Sequence, residues 1–311
     1  MRRLAWLLLP LLLAACRPSA PPREVRVVVS GPGRLARAEA FAAGLRGYDL
    51  ENVELTVCDA GGEADSLAAC TEPGPALFVT VGGVETRTVI EAGDEAPVIY
   101  VGLAASLDWG YVASLSHPGG RASGVDNNYA ELSGKRLQLL KLALPEVERV
   151  TVLYQPGVVP TPRGLASVRR AAAELGLELD YYPVADPDDL NGLAKALGGS
   201  SVDAALLLPS FVLENHLQVV LASCKRAGLP LVGLDAAQVR QGAFLAYGAS
   251  GADMGRQAAR MARQVLEGYP VSEMPVERPQ QVQLSLNLTV AGELGLAVDP
   301  RVVDLADEVV Q

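Results

Sequence analysis

Histidine is scarce in this sequence of 311 residues, and its scarcity narrows the chemistry that the chain can support. The only two histidines are His117 and His216, and the sequence has neither a His-Glu-x-x-His zinc motif nor a phosphate-binding Walker motif. The stretch from Gly248 to Ala252 approaches the nucleophile elbow of serine hydrolases but ends in alanine where that motif has glycine. A hydrolase is therefore poorly supported, and we expect no metal and no cofactor.

Positively charged residues are also fewer than negatively charged ones. The chain has 26 lysines and arginines against 36 aspartates and glutamates, which gives a formal net charge of −10. A nucleic-acid binder needs a basic surface, so this balance argues against a nucleic-acid partner. Half of the residues are hydrophobic and a fifth are charged, which is typical of a globular protein. The length is sufficient for two domains.

The apolar run at the start of the chain, residues 4–13, is too short to span a bilayer. Two arginines precede it, and two alanines then lead to Cys16, as in the lipobox of bacterial lipoproteins. We therefore predict a lipoprotein signal peptide at residues 1–15, a lipid on Cys16 and a tether at residues 16–24. The body would then be exported and anchored to the membrane. The alternative is an ordinary secretory signal with a chance cysteine.

Cysteine is rare in the rest of the chain, which contains only Cys58, Cys70 and Cys224. Cys58 and Cys70 are close in sequence, and an exported location permits a disulfide between them. Two free buried thiols are the alternative. Cys224 falls within a helical pattern and is predicted to be a core residue. No pair has the spacing of a zinc finger.

The chain does contain a repeated alternation of short β-branched runs and helical runs. This alternation predicts right-handed βαβ units and mostly parallel sheets, which define an α/β fold. A helix at residues 106–115 is predicted after the fourth strand. The strands themselves are predicted at residues 25–29, 53–57, 76–81, 98–101, 150–154, 177–182, 204–208, 230–233, 243–247 and 282–286.

The segment from His117 to Asn128 interrupts this alternation. It has three glycines and one proline in twelve residues, a composition that disfavours both a helix interior and a buried strand. We therefore predict a hinge between two Rossmann-like lobes, with an ordinary surface loop as the alternative. The predicted N-terminal lobe is residues 25–125 plus about 250–275, and the C-terminal lobe is residues 126–249 plus about 276–311.

Two facing parallel sheets would place a ligand in the cleft between the lobes, beyond the carboxyl ends of the strands. Gly82 and Gly83 precede a predicted helix whose N–H groups could hold a carboxylate. Asp235 follows a predicted strand and could accept hydrogen bonds from an ammonium group. Each position also has a purely structural interpretation as a turn, a helix cap or core packing. The remaining candidates at strand ends are Ser30, Ser106, Tyr154, Gln155, Ser210 and Phe211.

One motif indicates an enzyme instead. Gly31, Gly33 and Ala36 fit the G-x-G-x-x-A pattern between the first strand and the first helix, and Asp59 ends the second strand, where a ribose-binding acid would lie. An exported dinucleotide-dependent enzyme is therefore the alternative to a binding protein. The structural interpretation of the same motif is a tight turn at the edge of the cleft.

Several segments carry a resemblance that covers nearly the whole mature chain. They are residues 98–102, 110–120, 123–125, 135–140, 152–154, 242–248 and 287–295. In this order and spacing they resemble the ABC-transporter substrate-binding lipoproteins of the tryptophan/tyrosine-binding type. The resemblance implies a type I periplasmic-binding-protein fold and no catalysis. It also implies that the protein delivers a small solute, such as an amino acid, to a membrane permease and its ATPase.

The resemblance further implies a monomer whose body lies in the periplasm or extracellular space. A sensor module that has lost its transporter is the alternative. The chain departs from the family's usual residues in part of the cleft. Residues 104–106 are Ala-Ala-Ser, whereas relatives often have Ser-Asp-Pro there. Gln155 occupies a position where relatives often have asparagine, and Ser210 one where they usually have aspartate.

Overall fold

A computed structural model describes residues 21–61 and 64–311 of the chain. The predicted signal peptide and the predicted lipid attachment at Cys16 lie outside these residues. Strand β1 begins at Arg23, so the last two residues of the tether predicted for residues 16–24 lie within this strand. The reason is pairing with the next strand, since the Arg23 amide donates to the Asn52 carbonyl over 2.7 Å. None of the described helices is long and apolar enough to cross a membrane.

The first sheet has five strands, all parallel, in the order β2-β1-β3-β4-β5. Valine, leucine and isoleucine dominate the three inner strands, because helices cover both faces of the sheet. The strands are β1 Arg23–Val29, β2 Val53–Asp59, β3 Leu77–Thr80, β4 Val98–Leu103 and β5 Ala122–Asp126.

The second sheet has seven strands in the order β12-β11-β10-β9-β8-β6-β7. Its pairs are parallel except β10 with β11, which is antiparallel. The strands are β6 Arg149–Tyr154, β7 Glu178–Pro183, β8 Ala204–Leu207, β9 Leu231–Gly233, β10 Leu245–Gly248, β11 Gln283–Asn287 and β12 Glu308–Val310.

Helices alternate with the strands and cover both sheets, as the sequence pattern predicts. Short 3₁₀ helices occur at Ala64–Thr71, Pro187–Gly192 and Val271–Glu273. The α-helices are α1 Pro32–Arg46, α2 Gly83–Glu91, α3 Tyr129–Ala143, α4 Pro160–Leu175, α5 Leu193–Gly198, α6 Phe211–Asn215, α7 Leu217–Ala227, α8 Ala236–Arg240, α9 Gly251–Leu266, α10 Leu288–Glu293 and α11 Pro300–Leu305.

The predicted hinge segment contains a buried strand, so the prediction that it could not form one is wrong. Strand β5 is buried along its whole length. Gly124 has φ 156°, and a Cβ on it would lie 2.1 Å from the Tyr100 carbonyl oxygen. Glycine is therefore required for the close approach of β5 to β4 and is not a mark of flexibility here. The joint shortens to Asn127 and Asn128, and Asn128 adopts the left-handed conformation with φ 58°.

Helix α9 packs against α1, beside the first sheet, although the chain reaches it only after most of the second sheet. The approach is close at Gly255, where a Cβ would lie 2.5 Å from the Arg37 carbonyl oxygen. After α9 the chain still touches the first sheet, because Glu277 bridges to Val125. We propose lobe boundaries at the three crossings between the sheets, near residues 127–128, 249–250 and 278–282.

A disulfide joins Cys58, in the edge strand β2, to Cys70 in the 3₁₀ helix Ala64–Thr71. It therefore ties this short helix to the edge of the first sheet. Cys224 is a free, buried thiol within α7. Burial raises the pKa of the Cys224 thiol to about 12, so the group stays neutral at physiological pH.

Candidate functional site

A cavity of about 50 Å³ lies between the two lobes, at the carboxyl ends of the strands. We call it the inner cavity. The first lobe contributes the turn after β3, the start of α1 and the loop after β4. The second lobe contributes the start of α6 and the segment before α4. Its walls include Arg34, Arg37, Gly82, Gly83, Trp109, Asn127, Ser210, Phe211 and Glu214.

Arg37 brings a buried positive charge from the first lobe to this cleft. Its Nη2 lies 3.7 Å from Glu214 Oε2 and 3.6 Å from Asp235 Oδ2, both in the second lobe. Its guanidinium N–H groups form no hydrogen bond with the described part of the chain, so these two contacts are purely ionic. Burial opposes the charge of Arg37, but Tyr129, Glu214 and Asp235 outweigh that cost and raise its pKa. Arg37 is therefore charged at any physiological pH.

Asp235 caps a helix and also faces the buried Arg37 of the other lobe. Its Oδ1 accepts a hydrogen bond of 3.2 Å from the Gln238 amide and so caps α8. Its Oδ2 lies 3.1 Å from the Tyr129 hydroxyl and also faces Arg37. Only 7% of Asp235 is exposed. The carboxylate is thus both a helix cap and one half of an ion pair between the lobes.

Arg136 holds together the backbone segments that carry Tyr129 and Asp235. Its fully buried guanidinium donates to the carbonyls of Tyr129, Tyr247 and Leu234 over 2.8, 2.9 and 3.2 Å. Burial lowers the pKa of Arg136 to about 10. These bonds tie the start of α3 to the ends of β9 and β10. The pattern of three carbonyls around one cation could not be foreseen from the sequence, because the acceptors are backbone groups of distant segments.

Arg34 and Glu85 form a second buried pair beside the inner cavity. Arg34 Nε lies 3.2 Å from Glu85 Oε1, and Glu85 also accepts a hydrogen bond from the Ser30 hydroxyl. Burial raises the pKa of Glu85. The Arg34 guanidinium lies over the Phe211 ring, 5.3 Å from its centroid. Ser30, predicted to contact the ligand, orients Glu85 and is fully buried in this arrangement.

Gly82 and Gly83 lie at the start of α2 and line the cleft, but side chains already cover them. A Cβ on Gly82 would lie 2.6 Å from Arg34 Nε and 2.8 Å from Glu85 Oε2. A Cβ on Gly83 would lie 2.6 Å from Cζ2 of Trp109. The absence of side chains at both positions therefore makes room for the ion pair and the indole. A ligand carboxylate would have to displace them to reach the helix N-terminus.

The loop that carries Trp109 was predicted to be a helix at residues 106–115, and that prediction is wrong. Asp126 accepts hydrogen bonds from both the amide and the hydroxyl of Ser106, over 2.8 and 2.6 Å. Gly110, in the middle of the predicted range, has a φ of 75°, which a helix does not allow. Trp109 Nε1 donates to the Ala104 carbonyl over 3.0 Å. Ser106 thus anchors the loop behind the cleft, and Trp109 forms the cleft wall.

The predicted residues of the second lobe divide between the cleft and the core. Ser210 caps α6 and its hydroxyl donates to Gln155 Oε1 over 2.9 Å. Phe211 lines the inner cavity. Tyr154 lies outside it and packs edge-on against Tyr181, with 6.4 Å between the ring centroids. The core interpretation of Tyr154 is therefore the one that its contacts support.

A wider space of about 360 Å³ continues from the inner cavity past Trp109 and Phe211. We call it the outer chamber. The two cavities share Val84, Trp109, Val158 and Phe211. The other residues that line the outer chamber include Arg87, Gln155, Val159, Ala185, Asp186, Pro187 and His216.

An ion pair at the rim joins the lobes next to this chamber. Arg163 of α4 donates through Nε and Nη2 to the two carboxylate oxygens of Asp108, over 2.8 and 2.5 Å. These hydrogen bonds lower the pKa of Asp108. Asn215, at the end of α6, also joins the lobes, since its side-chain amide donates to the Ser30 carbonyl over 3.3 Å. The structure is therefore a closed arrangement, in which the two lobes touch.

A separate cavity of about 370 Å³ lies within the second lobe, between α7 and α10. Its lining, which includes Leu221, Cys224 and Val290, comes from that lobe alone. A ligand there would not bridge the lobes, and only contacts that differ between open and closed states can drive closure. We therefore assign the functional site to the interlobe cleft.

The dinucleotide motif has a structural role in this fold. Gly31 adopts φ 141° in the turn into α1, and a Cβ on Gly33 would lie 3.1 Å from the Glu214 carbonyl oxygen of the other lobe. Asp59 is exposed and accepts a hydrogen bond from the Gly61 amide over 2.9 Å. Within the described residues, no group of three or more acidic, histidine or cysteine side chains could hold a metal ion.

Comparison with known proteins extends these observations. The family described as "ABC transporter substrate binding protein" matches residues 24–310. A tyrosine-binding protein of Clostridioides difficile is 22% identical over 211 residues, which are 68% of this chain and 60% of that protein. The alignment thus covers less than two thirds of this relative.

Solved structures resemble the whole fold. A domain from Streptococcus pneumonia in complex with L-Trp has a TM-score of 0.83 at 20% identity and covers 93% of this chain and 100% of its own. The ligand-free, open structure of a substrate binding protein from Clostridium difficile has a TM-score of 0.66 at 17% identity, covering 93% and 99%. The predicted type I periplasmic-binding-protein fold is confirmed, and the enzyme alternative is wrong. The chain belongs to the family of ABC transporter substrate-binding proteins.

Proposed function

We propose that this protein captures an aromatic amino acid in its interlobe cleft and delivers it to the permease and ATPase of an ABC transporter. The observation that carries the proposal is the separation of charge across the cleft. Arg37 belongs to the first lobe, whereas Glu214 and Asp235 belong to the second. A zwitterion has the complementary pair of charges, and it can contact both lobes at once.

The loose geometry of the Arg37 contacts supports this use. A guanidinium usually binds a carboxylate through hydrogen bonds of about 2.7–2.9 Å. The distances here are 3.6 and 3.7 Å, and the donors of Arg37 remain available for a stronger partner. A ligand carboxylate would take those donors, and its ammonium group would donate to Asp235 and Glu214. No buried charge would then be left without a partner.

Two aromatic rings supply the complement for the ligand's side chain. Trp109 comes from the first lobe and Phe211 from the second, and both line the cleft. Aromatic rings in contact favour offset or edge-on packing, which contributes about 0.5–1.5 kcal/mol beyond the buried area. The tyrosine-binding relative and the L-Trp complex support an aromatic ligand. The TM-score is also higher against that complex than against the open protein.

Ligand binding would act on the hinge formed by the three crossings between the lobes, near residues 127–128, 249–250 and 278–282. A ligand that bridges the lobes stabilises the closed arrangement relative to the open one, because only the closed arrangement allows all of its contacts. The permease would then recognise the closed receptor. The extracytoplasmic side of the membrane is where substrate-binding proteins of ABC transporters work, and it is where we place this one.

The ligand proposal is tested by calorimetric titration of the purified protein with tyrosine, tryptophan, N-acetyltyrosine and ribose. We expect tyrosine or tryptophan to bind, and N-acetyltyrosine, which lacks the ammonium group, to bind at least 100-fold more weakly. Ribose serves as the control, because sugar receptors share this fold. Trp109 is the only tryptophan after residue 6 and would report tyrosine binding by its fluorescence. Binding of ribose but of neither amino acid would contradict the proposal.

We also propose that Cys16 carries the lipid that anchors the protein, on the strength of the two alanines and the apolar run before it. The Cys16→Ser variant should lose acylation and appear in the soluble fraction of cells. The matched control is Cys224→Ser, which removes a thiol from the body of the protein and should leave membrane association unchanged. Equal membrane association of the Cys16→Ser variant and the natural protein would contradict anchoring through Cys16.

A further inference from the structure

We propose that the site recognises the amino-acid head group strictly but accepts side chains longer than those of tyrosine and tryptophan. This inference rests on the proposed function and concerns the size of the ligand. Its first basis is the small volume of the inner cavity, about 50 Å³. Ligand sites usually measure about 300–1,000 Å³. In the closed arrangement the inner cavity therefore has room for the head group of an amino acid but not for its aromatic ring.

The charges of the head-group site lie at the deep end of the cleft. Arg37 and Glu214 line the inner cavity, and Asp235 adjoins Arg37. A head group bound there has two directions in which its side chain could point. One leads past Trp109 and Phe211 into the outer chamber, and the other leads along α6 and α8.

The polarity of the lining residues distinguishes these two directions. The space along α6 and α8 measures about 170 Å³ and is lined mostly by polar groups such as Gln218, Gln238 and Gln241. The outer chamber measures about 360 Å³, and two aromatic rings stand at its entrance. Burying an aromatic side chain against rings and valines removes apolar surface from water and is favourable. Burying it against the glutamine amides would cost those amides their hydrogen bonds to water. The ring of the ligand therefore points into the outer chamber.

The far side of the outer chamber opens to solvent. Arg87, Asp186 and Pro187 form its rim and are exposed, so no buried wall closes it. A substituent on the far end of the ligand's ring would extend between these residues towards water. Head-group contacts and ring packing would both remain in place. The structure therefore assigns specificity to the head group and leaves the end of the side chain unrestricted.

The test compares four ligands by calorimetry: tyrosine, tryptophan, O-benzyltyrosine and N-acetyltyrosine. We expect the dissociation constant of O-benzyltyrosine to lie within about tenfold of that of tyrosine, while N-acetyltyrosine binds at least 100-fold more weakly. If tyrosine binds and O-benzyltyrosine is weaker by 100-fold or more, the inference is wrong and the proposed function stands. If tryptophan binds but neither tyrosine nor O-benzyltyrosine does, the inference is wrong and the proposed function stands. If none of these three amino acids binds, the proposed function fails and this inference with it.

A substitution in the outer chamber tests where the benzyl group of O-benzyltyrosine lies. Ala185 is exposed and lines the outer chamber, so Ala185→Phe would narrow it. We expect this change to weaken O-benzyltyrosine at least tenfold more than it weakens tyrosine. The matched control is Ala43→Phe, an exposed alanine of α1 outside the cavities described here, which should alter neither ligand. Equal effects of Ala185→Phe on both ligands would place the benzyl group elsewhere and overturn the assignment.

Discussion

The Arg37→Met variant should lose most of its affinity for the amino-acid ligand, by roughly 2–5 kcal/mol, which is about 30-fold or more. The reason is that the ligand carboxylate would lose its hydrogen-bond donors in a buried site, where no water replaces them. Arg37 is only 4% exposed, and Arg34, the other arginine of this face, is engaged by Glu85 and Phe211. Calorimetric titration with tyrosine measures the loss.

The control for this prediction is Arg46→Met, which removes an exposed arginine from the last turn of the same helix and should leave affinity unchanged. Arg37→Met also leaves Glu214 and Asp235 without their cation, and breaking a buried pair costs about 3–5 kcal/mol of stability. Adding Asp235→Asn should restore part of that stability but none of the binding. Full-strength binding by a folded Arg37→Met variant would contradict the proposed role.

The Gly124→Ala variant should lose roughly 3–6 kcal/mol of stability from steric overlap and backbone strain together. The added Cβ would lie 2.1 Å from the Tyr100 carbonyl oxygen and 2.6 Å from the Tyr100 amide nitrogen. Both are backbone atoms of β4, so no side chain can move aside to relieve the overlap. Strands β4 and β5 would have to separate, which breaks their parallel ladder. Chemical denaturation followed by circular dichroism measures the change.

Gly198→Ala is the matched control for this substitution. Gly198 ends α5, and a Cβ there would meet nothing within 4 Å. Replacing a helical glycine with alanine reduces the entropy of the unfolded chain and stabilises by about 0.4–1 kcal/mol. We therefore expect the two alanine variants to change the free energy of unfolding in opposite directions. A Gly124→Ala protein as stable as the natural one would show that the two strands approach less closely than the structure indicates.

The alternation of strands and helices could be predicted from the sequence because each inner strand is a short apolar run. Residues 25–29, for example, fall within β1, where the apolar run is buried between helices. Strand β5 could not be predicted in the same way. Its sequence, Ala-Ser-Gly-Val-Asp, reads as a loop because it lacks bulky side chains. The requirement for small residues comes from β4, and that neighbour is known only once the strands are paired.

The site was predictable only where it depends on position at the end of a strand. Gly82, Gly83, Ser210 and Phe211 line the cleft for that reason. Arg34, Arg37, Glu214 and Trp109 were missed, since a buried charge is recognised by its partner, and here the partner of Arg37 belongs to the other lobe. One feature of the sequence could have identified the arginines. They stand three residues apart on α1, on the face that also carries Ala38, Phe41 and Leu45.

The packing of α9 against α1 affects the order in which the protein can fold. Domains generally fold from the amino terminus as the chain is synthesised. Here the apolar face of α1, with Phe41 and Leu45, is covered by a helix that ends at Leu266. Until the ribosome has added that helix, the first lobe lacks part of its core and cannot complete its folding. For export through a channel that accepts only unfolded chains, this late closure would delay premature folding of the leading half.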